Sequence, residues 1–205
     1  NFVAGGSITQ GYKNAYHTIT SAITGSPDVN VINGSGYNGL TFAPTAGTVT
    51  LGTCTIPYND TVQTGDKAGI HFGGSTSNSV SEVRYDGGDK YGAVYVEGSG
   101  SWTFGDIKIG TVYISGTLVA NGSIDTDYGG LQLQSGGTLH YNNAGAVLDN
   151  FKIYGGSSLD NSSGAAIPSS THNAAQTWYG DWTFIGSNGS DSDLNLGTGA
   201  VTLSG

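Results

Sequence analysis

A right-handed parallel β-helix, an all-β solenoid closed at its N-terminal end by a short helix, is the fold this sequence predicts, on three observations. The first is a series of very short apolar alternations between Val94 and Leu159. Among them are Val94-Tyr95-Val96, Trp102-Thr103-Phe104, Ile107-Lys108-Ile109, Val112-Tyr113-Ile114, Leu131-Gln132-Leu133, Leu139-His140-Tyr141, Ala146-Val147-Leu148 and Phe151-Lys152-Ile153. Each has the period of two of a strand and is too short for a helical pattern. The second is a longer repeat: Tyr95, Tyr113, Gln132 and Lys152 follow one another by 18, 19 and 20 residues, and Val119, His140 and Leu159 by 21 and 19. A coil that stacks on its neighbour generates such a period. The third is composition. With 36 Gly, no Met and 10% charged residues in 205, the chain is rich in turn formers and poor in helix formers. An antiparallel β-sandwich is the alternative, but it calls for longer strands and turn signals about every 8–12 residues.

Residues 1–13 read as an arm or a first strand, and 14–205 as a single β-helix domain. Asn14 to Thr24 is the one predicted helix, because Tyr16, Ile19 and Ile23 are three and four apart and Gly25-Ser26-Pro27 follows as a stop. Its Thr18-Ile19-Thr20-Ser21-Ala22-Ile23 core resembles the capping helix of secreted right-handed β-helix proteins such as pectate lyases and pectin methylesterases. A cap has a physical purpose, since the first coil of a solenoid otherwise exposes its interior. Triplets resume at Val29-Asn30-Val31, Leu40-Thr41-Phe42, Val49-Thr50-Leu51 and Cys54-Thr55-Ile56, with Asn33-Gly34 and Asn38-Gly39 marking sharp corners. Residues 57–81 and 161–176 break the alternation and are expected to be loops. From Trp178 onward, Trp182-Thr183-Phe184 and Leu194-Asn195-Leu196-Gly197-Thr198-Gly199-Ala200-Val201-Thr202-Leu203-Ser204-Gly205 resemble the autotransporter-associated β-strand repeats of large bacterial surface proteins. Trp102-Thr103-Phe104 and Gly110-Thr111-Val112-Tyr113-Ile114-Ser115-Gly116 echo them inside the chain. That resemblance implies a secreted β-helix and no catalytic residues.

Charge narrows the function. A formal net charge of −9 with six Lys and Arg leaves no basic footprint for nucleic acid or an anionic membrane surface. No run of eighteen apolar residues is present to span a bilayer as a helix. The single Cys54 has no internal disulfide partner and, in a Thr-Cys-Thr-Ile alternation, reads as a small core hydrophobe. A start at Asn1 without Met and a last triplet at Val201 to Leu203 give the expectation of a trimmed secreted precursor or a segment of something larger.

The leading expectation is therefore a non-enzymatic extracellular structural or adhesive solenoid, associating through its ends, with a glycan or other surface ligand as its further partner. The alternative is a polysaccharide lyase or glycosidase built on a β-helix, which needs paired carboxylates and a cation near them. Asp125 and Asp127 share one face of a strand. Arg84 and Lys90 lie near Glu82, Asp86 and Asp89. No cofactor is expected. Asn188, Asp191 and Asp193 would be the oxygen ligands of a Ca²⁺ ion, although the full calcium-loop pattern is missing. His17, His71, His140 and His172 have no metal-ligand spacing. Thr48-x-Thr50 and Thr53-x-Thr55 resemble the paired threonines of an ice-binding face, but do not recur at the coil period. Stacked Tyr95 and Tyr113 are expected to ladder with each other rather than offer their faces to sugar rings.

Overall fold

The structure, a computed structural model, describes residues 7–10, 16–31, 38–57, 68–86, 92–143, 150–167, 174–189 and 193–205. The strands, in chain order, are β1 (Ser7–Gln10), β2 (Tyr16–Ile19), β3 (Asp28–Val31), β4 (Asn38–Phe42), β5 (Thr50–Pro57) and β6 (Ala68–Phe72). Next come β7 (Ser77–Asp86), β8 (Ala93–Val96), β9 (Ser101–Ile114), β10 (Thr117–Ala120), β11 (Ile124–Leu133) and β12 (Thr138–Tyr141). The last are β13 (Phe151–Tyr154), β14 (Ser158–Asn161), β15 (Gln176–Tyr179), β16 (Thr183–Phe184) and β17 (Val201–Leu203). Every pairing among the described strands is parallel, which rules out the antiparallel sandwich.

The strands form three faces of a parallel β-helix. Face I stacks β2, β4, β6, β8, the end of β9, the end of β11, β13, β15 and β17. Face II stacks the starts of β7 and β9 with β10, β12, β14 and β16. Face III stacks β1, β3, the end of β5, the end of β7, the middle of β9 and the start of β11. The 14 residues of β9 run round all three faces, so three predicted triplets are one bent strand. Gly105 sits at its first bend. A Cβ there would collide with the Ser81 carbonyl of the coil before, so only glycine permits this stacking.

The inward residues make one continuous core. Phe42, Phe72, Trp102 and Phe104 form its aromatic centre, with Phe72 4.8 Å from Trp102 and 5.0 Å from Phe104 between ring centroids. The Trp102 indole N–H donates to the Gly73 carbonyl at 2.9 Å. Cys54 lies in this core with its thiol pushed up by burial and, second, by the Asp28 carboxylate, as expected of an inert hydrophobe. Tyr141 is also inside, and its hydroxyl has no hydrogen-bond partner among the described residues. Tyr141→Phe is expected to be neutral or to raise stability by about 1 kcal/mol, read as an upward shift in the urea midpoint.

The repeat spacing is largely what the sequence predicts. Tyr95, Tyr113, Gln132 and Lys152 are direct cross-strand partners in one outward column. In the second series Val119 faces His140, but His140 faces Asp160 and not Leu159, which pairs with Leu139 inside. Among the described residues there is no capping helix. Tyr16–Ile19 is a strand on β4, and Ile23, buried, bridges Val49 from the next face. The three-and-four spacing arises because the chain turns a corner between Ile19 and Ile23, and β-branched Thr18, Ile19 and Thr20 suit the strand. The 57–81 segment holds β6 and the first part of β7. Its alternation is masked by Asn78, which points inward, accepts the Val49 N–H at 2.9 Å and donates to the Thr76 carbonyl at 2.9 Å. In the 1–13 arm, Ser7–Gln10 is a strand on β3. Within 161–176, Asn161 ends β14, Ile167 bridges Leu194 and Gln176 opens β15. The predicted 146–148 triplet lies outside the described residues.

Candidate functional site

Outward side chains of a β-helix align in columns, because successive coils place equivalent residues about 4.8 Å apart. Function has to be sought in those columns and at the ends of the stack.

Face III carries the charges. Its two outward columns contain Glu82 beside Asp106, and Arg84, Lys108 and Asp125 in successive coils. Lys108 lies 3.7 Å from Glu82 and 3.8 Å from Asp106, and Arg84 is 3.7 Å from Glu82. Asp106 also accepts the Ser123 N–H and hydroxyl, each at 2.9 Å. Those two bonds, helped by Lys108, hold its carboxyl below the usual carboxylate range. Asp125 and Asp127 flank the buried Thr126, as a shared strand face requires, but Asp127 falls in the irregularity that shifts the register between Thr126 and Gly130. Arg84 is thus two coils from Asp125, on a flat sheet surface where the neighbouring carboxylates are engaged by cations and by Ser123. Asp86 is the last residue of β7, paired with Pro57. Asp89, Lys90 and His172 lie outside the described residues.

Face II carries hydroxyls. Ser77, Ser101, Thr117, Thr138, Ser158 and Thr183 form one outward column, with Ser101 donating to Ser77 at 3.2 Å. Thr50, Ser79 and Thr103 begin the parallel one, which continues through Val119 and His140 to Asp160. Thr53 and Thr55, by contrast, stand on face III next to Glu82 and Arg84, so the predicted threonine pairs do not form one array. Asp160 is the most enclosed carboxylate described. It contacts His140 Nδ1 at 2.9 Å and accepts the Ser187 N–H at 3.0 Å and the Ser187 hydroxyl at 2.7 Å. Burial pushes its pKa up, but the two Ser187 bonds and His140 outweigh that and leave it below the ordinary value. The arrangement differs from a nucleophile-base-acid relay, because the serine and the imidazole both bond the carboxylate. Its effect is to pin the turn around Ser187 onto the coil.

Face I carries rings and amides. His71, Tyr95 and Tyr113 stack at 4.3 and 5.0 Å with planes 9° apart, and His71 also contacts Glu97 at 3.2 Å. Rings stacked this closely cover each other's faces, so the column is a ladder and presents only ring edges. Below it, Gln132 accepts from Gln134 at 3.3 Å and from the Tyr154 hydroxyl at 3.4 Å, and Tyr154 stacks on Tyr179 at 4.7 Å.

Of the calcium candidates, the two described ones, Asn188 and Asp193, both meet Asn161. Asp193 is exposed and uses its backbone carbonyl to accept from Ile167 and from the Asn161 side chain. Asn188 donates to the Asn161 carbonyl, and Asp191 lies outside the described residues. Among the described residues no group of three or more His, Cys, Asp or Glu could hold a metal ion.

One end of the stack is apolar. Among the described residues, Tyr179, Phe184, Ile185, Val201 and Leu203 are the exposed large hydrophobics, and Leu203 is 75% exposed. Val201 and Leu203 lie by Trp178, whose ring meets that of Trp182 edge to face at 5.3 Å. Two hollows of about 630 and 610 Å³ open beside Trp178, one toward Leu194 and Leu196 and one toward Trp182 and Leu203. Strands β16 and β17 have a pairing partner on one side only among the described residues.

Comparison of the chain with family models, curated proteins and solved structures found no match. The fold defines the class, a three-faced parallel β-solenoid. No helix among the described residues is long and apolar enough to cross a membrane.

Proposed function

We propose that this chain is an extracellular structural and adhesive solenoid of the bacterial surface-protein type, which self-associates through its apolar end. The observation that carries the reading is where side chains are spent. Along the faces, outward groups pair with the equivalent residue of the next coil: rings on rings, Ser101 on Ser77, Asn142 on Asn121 at 2.8 Å, His140 on Asp160. Such pairs stiffen a rod. At one end of the stack Tyr179, Phe184, Ile185, Val201 and Leu203 are exposed, and β16 and β17 each pair on one side only among the described residues, which leaves backbone groups that another chain can meet. The resemblance of Trp178 to Gly205 to autotransporter-associated repeats supports the surface location, as does the low lysine content.

Sedimentation velocity over a concentration series tests this. The protein is expected to form larger species as concentration rises, and Leu203→Asp is expected to weaken association about tenfold or more, since burying a leucine contributes about 1.5–3 kcal/mol. A strictly monomeric wild type at high concentration would overturn the self-association, and so would a Leu203→Asp variant that associates as well as wild type.

A further inference from the structure

Building on the self-association proposed above, we infer that the apolar end is closed by the opposite end of a second copy. β17 of one chain pairs in parallel with β2 of the next, and the assembly grows head to tail.

Strand edges are free at both ends of the described stack. At the tail β17 pairs only with β15 and β16 only with β14, and at the head β1 pairs only with β3 and β2 only with β4, among the described residues. The backbone groups of the two edges are complementary. At the tail, the Gln176 N–H donates to the Ala200 carbonyl and the Ser204 N–H to the Trp178 carbonyl, each at 2.8 Å. Because amide direction alternates along a strand, the N–H and carbonyl of Val201 and of Leu203 face away from β15. At the head, the Ala43 N–H donates to the Ile19 carbonyl at 2.9 Å. That turns Ile19 toward β4 and leaves the N–H and carbonyl of Thr18 facing away from it. In a parallel ladder a residue bonds the two that flank its opposite number on the next strand. Thr18 set opposite Thr202 meets this condition: its N–H reaches the Val201 carbonyl, and its carbonyl receives the Leu203 N–H.

Side chains select the same register. Thr202 stands opposite Thr177, and Thr18 opposite Thr41, so the outward column runs unbroken through the joint. On the inward side Leu203, opposite Trp178, comes against Ile19, opposite Phe42. One is exposed and the other half-covered, each at its own end of the core. Val201 meets His17, which stands opposite the buried Leu40 and is exposed in the single copy. Face III agrees. Leu194, bridged to Ile167, comes between β16 and β17 in chain order, and Ile8, opposite the buried Val29, comes before β2. Both are partly buried residues packed on the core, and the joint brings them together.

A second tail fits less well. Turning one copy over reverses its strands, makes the contact antiparallel, and lets at most one of the three faces meet its own kind. Such a contact closes at two copies, whereas head-to-tail pairing leaves a free head and a free tail after every addition.

Complementary end variants in sedimentation velocity test this. His17→Asp places a carboxylate at the head and Leu203→Asp one at the tail. Both residues are exposed, so the fold is retained, which circular dichroism checks. Wild type is expected to pass beyond the dimer as concentration rises, and each variant alone to associate about tenfold more weakly or less. An equimolar mixture of the two is expected to form one-to-one pairs at near wild-type affinity and nothing larger, since each supplies the intact end the other lacks. Thr18→Pro removes the edge-facing N–H of β2 and no bond to β4, and is expected to weaken association about tenfold. A wild type that stops at the dimer, a His17→Asp protein that associates like wild type, or a mixture no more associated than its parts would each overturn head-to-tail pairing and leave self-association standing. Unchanged association of Thr18→Pro would overturn the register. A wild type that stays monomeric at every concentration would remove both readings.

Discussion

Trp102→Ala is expected to lower stability by about 3–5 kcal/mol, read as the shift of a urea unfolding curve. The indole fills the centre of the solenoid, fully buried, against Phe42 and Phe72 drawn from two other strands. Its removal leaves a cavity that cannot collapse, because each wall is a strand locked to coils above and below. The Gly73 carbonyl also loses its indole donor. Trp102→Phe separates the two effects: it keeps most of the volume, loses the hydrogen bond, and is expected to cost about 1–2 kcal/mol. A Trp102→Ala protein as stable as wild type would mean that the aromatic centre does not hold the stack together.

The aromatic centre was legible in the sequence because inward positions of a coil are apolar and two residues apart. Trp102, Phe104, Val112 and Ile114 announce themselves by that alternation, and the column from Tyr95 to Lys152 by its period. Reading failed where an inward position is polar or an outward one is not. Asn78 points inward and hid the start of β7; Asp160 is the outward partner of His140, while Leu159, the apolar residue beside it, attracted the repeat. At the N-terminal side a corner between Ile19 and Ile23 imitated a helical spacing. Hydrophobic period alone cannot separate one face of a helix from two strands meeting at a bend.

The sites were less legible, for a topological reason. Groups that meet on a solenoid face come from coils about twenty or more residues apart, so closeness in the chain says little. Arg84 beside Glu82 is a two-residue spacing and could be anticipated, whereas Lys108, which bridges Glu82 and Asp106, comes from the next coil. The hollow beside Lys152 is lined by Asn150, two residues away, and by Thr177, 25 residues on. The step of 20 between His140 and Asp160 was the one available signal for that pair.

That pair makes the remaining prediction. Asp160→Ala is expected to cost about 2–3 kcal/mol at pH 7, since it removes the charged acceptor of both Ser187 donors and the partner of His140. The cost should depend on pH in a definite direction. The Asp160 carboxyl titrates below its ordinary value of 3.8 in the folded protein. A group with a depressed folded pKa binds its proton more readily in the unfolded chain, so its contribution is complete above the unfolded value and disappears as pH falls through the folded one. Wild type should therefore lose its advantage over Asp160→Ala progressively below about pH 4, the unperturbed carboxylate range. Urea melts of both proteins from pH 7 to pH 2.5 would show the gap narrowing. A gap that stays constant, or widens in acid, would mean that the carboxylate is not what ties the Ser187 turn to the coil.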